Sequence, residues 1–433
     1  MDETNNQQKE EYEIIRERMK ARPINRKKLF RRTVITAMMA VIFGVLACIT
    51  FLVLEPIFSN LLTPEDEPVA EVVKIPLDED EMLPQDMLLE DEKEEPTEKI
   101  IYINQPDEEI TELERSVSMY REMYDLSMTV KKSLVTVTGV NQDVDWFNNE
   151  YERKGITSGL IVANNGIELL ILTDYLAIDN SEDIKVTFYN DITVEGTVKG
   201  NDRNTGFAVI AIPVTELPSS LLDESLLAKL GNSRTNQLLA SPVIAIGHPL
   251  GNVESVEYGM ITSKHNTFNK TDNNYEILTT DMHGNEKSNG VIVNLSGEVL
   301  GVIYQRGPVT DVSTISFMGI SDIKRTIERL SNGKTRAYLG IYGTDVTIDA
   351  VDKGVPSGAY VTGIDMDSPA MRAGIQSGDV VVSVDDYEIT AFAVLTEAII
   401  AHAPGEEATI KVKRMNGEEY VEVTITVQLE ELN

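Results

Sequence analysis

Cysteine is almost missing from this chain: of 433 residues only Cys48 carries a thiol. No internal disulfide and no cysteine-built metal site can form. Cys48 lies in an apolar run, where it reads as a small apolar residue; a membrane-proximal thiol open to palmitoylation is the other reading. Histidine is scarce too, at four residues, His248, His265, His283 and His402. No two of them have metal-ligand spacing, so neither a zinc centre nor another cofactor is expected. Positive charge is the third shortage. Lysine plus arginine number 38 against 71 aspartate plus glutamate, a formal net charge of −33. Phosphate backbones repel such a chain, which excludes nucleic acid as a partner. Net charge says nothing about fold.

The length allows two or three domains. Thr33 to Leu54 reads TVITAMMAVIFGVLACITFLVL, without a charge. As a helix it spans a hydrocarbon core of about 30 Å. Arg16, Arg18, Lys20, Arg22, Arg26, Lys27, Lys28, Arg31 and Arg32 precede it, and Glu55 with an acidic stretch follows. The bias of basic residues predicts a cytoplasmic N-terminus and everything after Leu54 outside. A cleaved signal peptide fits less well, because the run is long for an apolar signal core and no small-residue cleavage site follows. The predicted organisation begins with a basic cytoplasmic tail (1–32) and a transmembrane helix (33–54). An acidic extracytoplasmic linker (55–117) follows. PEDEPVAE, LDEDEMLPQD and LLEDEKEEPTEK combine like charges and prolines, which predicts an extended, unpacked spacer. A calcium-buffering tail is disfavoured, because no EF-hand spacing occurs. Ile100 to Ile103 suggests a short strand, and 111–133 has helical spacing through Leu113, Met119, Met123 and Leu126.

From Leu134 the texture changes to short strands and turns. Val135 and Val137 alternate on one face, and Asn164-Asn165-Gly166 marks a hairpin. Strands follow at 193–198, 207–212, 243–246, 291–293 and 299–304. Ile323, Ile327 and Leu330 close the segment with a helix that Ser321 is placed to cap. Regular short strands with little helix predict a barrel or sandwich of about 200 residues. Periodicity goes no further.

Several stretches, in one consistent order, resemble the HtrA-type (DegP-like) serine proteases. Val243-Ile-Ala-Ile-Gly-His-Pro-Leu-Gly251 and Tyr258-Gly-Met-Ile-Thr-Ser263 are similar to the strand-loop-strand before the family's nucleophile. Thr279-Thr-Asp281, Ser288-Asn-Gly-Val-Ile-Val-Asn294 and Gly297-Glu-Val-Leu-Gly-Val302 resemble the nucleophile loop and its hairpin. Arg336-Ala-Tyr-Leu-Gly-Ile341 resembles the start of the family's PDZ domain. The resemblance implies a mainly β chain: a chymotrypsin-like double β-barrel at 118–332, then a PDZ domain at 336–428.

A serine hydroxyl needs an adjacent base, and the base needs a third group to hold it. The resemblance assigns Ser288 to the nucleophile position. It puts Leu176 where the family has histidine and Gly206 where it has aspartate. Neither takes a proton; Tyr175, one residue away from Leu176, is no better a base at neutral pH, and Asp202 is expected on the wrong side of a turn. Glu286 replaces the glycine that lends an N–H to the oxyanion hole, where a carboxylate opposes developing negative charge. A Ser288 dyad with His283 or Lys287 is disfavoured, because groups this close in sequence rarely face one another.

The PDZ resemblance places Tyr338, Leu339, Gly340 and Ile341 in a carboxylate-binding loop, where backbone N–H groups converge on a peptide terminus. Val394, Leu395 and Ala398 of a helix over 391–402 are candidates to face the peptide. These readings predict a membrane-anchored pseudoprotease that binds exposed C-termini or unfolded segments of extracytoplasmic proteins. The alternative is an active serine endopeptidase of protein quality control using Ser288. The resemblance also implies a homotrimer, and mixed assembly with an active relative is compatible with the pseudoprotease.

Overall fold

The computed structural model describes residues 30–31, 34–46, 50, 70–78, 112–144, 150–179, 181–251, 254–306 and 312–432. The chain divides into two units, Met1–Glu67 and Pro68–Asn433. In the first, 34–46 is helical with its apolar side chains exposed, Phe43 at 77% and Met38 at 66%. No helix among the described residues is long and apolar enough to cross a membrane. The expected span 33–54 falls partly outside them, at 33, 47–49 and 51–54.

The second unit opens with a correction to the expected linker. Residues 70–78 run extended and docked. Val73 and Ile75 are buried in the main core while Lys74 between them and Val72 before them are exposed, the period of two of a strand lying on a surface. Val73 N–H donates to Asn332 Oδ1 at 2.9 Å, and the Asn332 amide returns a bond to the Val73 carbonyl at 2.8 Å. Asp78 is buried against Lys324 at 2.8 Å. Composition argued for a solvated spacer, but one alternating apolar pair and a partnered carboxylate suffice to dock this piece. The expected strand at 100–103 lies outside the described residues. Helix α1, Glu112–Lys131, matches its predicted position and packs Met123, Leu126 and Val130 on the core.

The first barrel comprises β1 (Leu134–Val144), β2 (Glu150–Asn164), β3 (Glu168–Asp174), β4 (Asp183–Thr187), β5 (Thr193–Glu195), β6 (Thr197–Asp202) and β7 (Phe207–Pro213). The expectation of a plain barrel needs adjustment. Strand pairing gives an open seven-stranded sheet, β5-β4-β1-β2-β3-β7-β6. Its two edge strands are consecutive in the chain and separated only by Gly196. The ring therefore closes through the covalent chain, with 193–202 acting as one bent strand. Gly196 sits at the bend, where an added Cβ would lie 2.5 Å from Ile210 Cγ2.

The second barrel closes by hydrogen bonds alone. Its strands are β8 (Pro242–His248), β9 (Ser255–Lys270), β10 (Asn273–His283), β11 (Asn289–Val293), β12 (Val299–Ile303) and β13 (Thr314–Gly319). They ring in the order β10-β13-β12-β11-β8-β9. Along β8, Val243 and Ala245 fill the barrel while Ile244 and Ile246 face the core shared with β2, β3 and β7. That shared core fixes one barrel against the other. Helix α2, Lys324–Ser331, covers it with Ile327 and Leu330. Ser321 does not cap this helix as expected. It lies in a 3-10 turn one step earlier, and its hydroxyl donates to Asp78.

The C-terminal domain has β14 (Ala337–Tyr338), β15 (Ile341–Asp345), β16 (Ala359–Ile364), β17 (Val380–Val384), β18 (Tyr387–Glu388), β19 (Glu407–Asn416), β20 (Glu419–Gln428) and β21 (Glu430–Glu431). The main sheet runs β15-β16-β17-β19-β20, so β15 is an edge strand. Helices α3 (Ile348–Val351), α4 (Pro369–Ala373) and α5 (Phe392–Ile400) complete the domain around its own core.

Candidate functional site

A cleft of about 440 Å³ lies between the barrels. Ser158, Thr173 and Leu176 line it from the first barrel, and Glu286, Ser288, Gln305 and Arg306 from the second. The fold thus gathers Leu176 and Ser288 in one cleft.

The loop before β11 is tied to itself. Asn285 N–H donates to Ser288 Oγ at 2.8 Å, and Ser288 N–H donates to the Asn285 carbonyl at 3.0 Å. The Ser288 hydroxyl donates in turn to the Pro249 carbonyl at 2.5 Å. Lys287 N–H goes to Asn285 Oδ1 at 2.8 Å. Ser288 is buried, and both its hydroxyl and its N–H are engaged by main-chain atoms or the turn itself. Attack on a carbonyl needs that hydroxyl free, and an oxyanion hole needs that N–H.

Leu176 stands 61% exposed in a 3-10 turn whose start Asp174 caps, accepting from Leu176 N–H at 2.9 Å. Gly206 has φ +76°, and its carbonyl accepts from Tyr175 N–H at 2.8 Å. An added Cβ at Gly206 would meet Arg306 Nη1 at 3.3 Å. Arg306 pairs with Asp174 at 2.8 Å and lies 5.1 Å over the Tyr304 ring. A guanidinium therefore borders the place expected of a carboxylate. Nothing in the local sequence pointed to Arg306, a hundred residues downstream in a loop without a motif. Asp202 is buried and accepts from the Thr205 hydroxyl at 3.0 Å, within its own turn.

Two of the histidines are engaged elsewhere. His248 is buried, with Nδ1 2.9 Å from Ser158 Oγ, and burial holds its pKa below the ordinary imidazole value against a weak pull from Glu254. His402 bridges the Ala398 carbonyl and Asp385, both at 2.8 Å. His283 is exposed at the end of β10, near enough to Glu257 to act on its charge. His265 belongs to β9, and its side chain lies outside the described residues. Among the described residues no group of three histidine, cysteine or carboxylate side chains could hold a metal.

In the C-terminal domain the N–H groups of Leu339, Gly340 and Ile341 converge on one point. The point is occupied by the Asp272 carboxylate, at 2.7 to 3.0 Å. Asp272 stands at φ +57° in the tip of the β9–β10 hairpin of the second barrel. Burial pushes its carboxyl up, while the three N–H groups and Arg336 pull it down. Of the helix candidates, Leu395 and Ala398 are core residues and Val394 packs half-buried against that core. Thr396 is the α5 residue that reaches the hairpin, its hydroxyl donating to the Asp272 carbonyl at 3.0 Å. Tyr338 turns its hydroxyl to Asp365 at 3.0 Å. Sequence reasoning missed Asp272, because no turn aspartate announces a partner 67 residues away in the chain.

Two barrels around a shared cleft, followed by a sheet with an N–H-lined loop, define the class: a trypsin-like peptidase fold joined to a PDZ domain. The trypsin-like peptidase family model matches residues 157–302 and the PDZ model residues 325–427. The chain belongs with the HtrA-type, DegP-like serine proteases that carry a PDZ domain. A probable periplasmic DegP-like serine endoprotease of Halomonas elongata is 30% identical over 64% of this chain and 57% of its own length. The Do-like serine protease HtrA of Lactobacillus helveticus is 28% identical over 65% of this chain and 70% of its own. The chain thus spans little more than half the length of the first DegP-like relative. In fold it is similar to the HtrA-type protease AlgW with decapeptide, at TM-score 0.51 and 19% identity, covering 72% of this chain and 98% of AlgW.

Proposed function

We propose that this protein is a membrane-anchored, catalytically silent HtrA-type protein that holds exposed C-termini or unfolded segments of extracytoplasmic proteins through its PDZ domain. The observation that carries the silent cleft is the state of Ser288: its hydroxyl bonds a main-chain carbonyl and its N–H bonds the turn, and Leu176, which we assign to the base position, lines the same cleft. The helix at 34–46, apolar and exposed, supports the anchor within 33–54. The relatives named as periplasmic support a location outside the cytoplasm for the folded domains. The structure of AlgW with a decapeptide supports peptide binding. A homotrimer, or mixed assembly with an active relative, completes the reading; exposed Leu113, Val117 and Tyr124 on α1 give such an assembly an apolar face.

The test is hydrolysis. The full chain in mild detergent is incubated with unfolded casein and with a fluorophosphonate probe for activated serines. Neither cleavage nor labelling is expected. Cleavage that vanishes in Ser288→Ala would establish the alternative, an active endopeptidase of protein quality control.

A further inference from the structure

A PDZ loop recognises a chain terminus in two ways at once. Its N–H groups hold the terminal carboxylate, and the last residue of the peptide bonds the edge strand beside the loop. Asp272 does both from within the molecule. Its carboxylate accepts from Leu339, Gly340 and Ile341 N–H, and its own N–H donates to the Ile341 carbonyl at 2.8 Å. Two residues on, the Asn274 side-chain amide donates to the Gly343 carbonyl at 2.9 Å, which engages the next outward-facing acceptor of β15. Thr396 of α5 closes over the Asp272 carbonyl from the opposite wall. The hairpin tip therefore lies in the groove between β15 and α5, where a bound peptide would lie. Asp272 is 3% exposed, so no second carboxylate fits beside it.

We infer that Asp272 is an internal ligand of the PDZ loop, a side-chain carboxylate standing in for a peptide terminus, and that a free C-terminal carboxylate binds only by displacing the β9–β10 hairpin tip. This inference rests on the reading of the PDZ domain as a binder of C-termini. Competition follows from valence: three N–H donors aimed at one point serve one carboxylate at a time. It also sets the ligand class, since a C-terminal amide or an internal segment brings no carboxylate to replace the one expelled. Weak affinity of the resting protein for peptides is then built in, and any partner that draws the hairpin away raises it.

The experiment uses the full chain in mild detergent, as wild type, Asp272→Gly and Asp272→Asn. Glycine removes the carboxylate while accepting φ +57° without strain. Asparagine keeps an acceptor oxygen and loses the charge. The probes are two fluorescein-labelled decapeptides ending in Val or Phe, each as free acid and as amide, and sodium isobutyrate as a minimal carboxylate. Near-ultraviolet circular dichroism checks that each variant keeps its packing; should Asp272→Gly lose it, Asp272→Asn is read in its place. The expected result is free-acid binding at least tenfold tighter in Asp272→Gly than in wild type, a smaller gain in Asp272→Asn, and none for the amides. Isobutyrate should raise the melting temperature of Asp272→Gly and not of wild type. Equal free-acid affinity in wild type and Asp272→Gly overturns the internal ligand and leaves the C-terminus reading standing. A folded Asp272→Gly that responds to neither free acid nor isobutyrate sinks both.

Discussion

Ser288, proposed above to be a silenced nucleophile, is held by its neighbours. The hydroxyl has found a main-chain acceptor, and the turn that holds it is closed by Asn285. The obvious repair is Leu176→His with Gly206→Asp. The structure argues against its success, because a side chain at 206 grows toward Arg306, and a carboxylate there pairs with the guanidinium before it can orient an imidazole. The double variant is expected to stay within about tenfold of background on casein, where an intact triad is worth roughly 10⁴ or more. A gain above about a thousandfold in that assay would show that the Ser288 loop opens freely and that the lost base was the whole defect. The assignment of Leu176 and Gly206 to the histidine and aspartate positions was a reading of the sequence, since each sits at a fixed offset in a short strand motif. Arg306 could not be read this way, because only barrel packing brings its loop to Gly206.

At the scale of elements, the docked segment 70–78 carries the largest testable energy. Asp78 and Lys324 are paired at 2.8 Å with side chains 7% and 5% exposed. Removing one partner leaves a buried ammonium, which costs about 3 to 5 kcal/mol, whereas replacing both by apolar groups is close to neutral. Asp78→Ala is therefore expected to lower stability by about that amount in urea unfolding, and Asp78→Ala with Lys324→Met to recover most of it. Equal loss in single and double variants would locate the cost in the Ser321 bond instead. The strands, the Asn164–Gly166 turn and α1 were legible, because each depends on local periodicity or turn chemistry. The docked segment was not. Its acidic surroundings dominate composition, and what fixes it are Asn332, Lys324 and Glu328, about 250 residues away along the chain.

For the whole molecule, the anchor and the folded domains make separate predictions. If 33–54 spans a bilayer, the full chain stays in the membrane fraction after alkaline carbonate, and deletion of 30–54 moves it quantitatively to the soluble fraction. Release of the full chain by carbonate would turn the apolar stretch into a peripheral contact. The barrels and the PDZ domain meet through the β9–β10 hairpin, with Asp272, Asn274 and the Thr271 hydroxyl on Asp365 at 2.8 Å forming one polar seam. The groove expected to take a peptide is thereby part of an interdomain contact.

The chain by itself determined the apolar run with its charge asymmetry, the sequence of β-elements and the residues of the N–H-lined loop. These are local matters of composition, period and spacing. Tertiary structure alone decided what fills the places so defined: Arg306 beside Gly206, Pro249 under Ser288, Lys324 on Asp78 and Asp272 in the PDZ loop. The reason is common to all four. Buried polar groups must find partners, and which partner arrives depends on how barrels and domains pack, a choice made across hundreds of residues that no local pattern records.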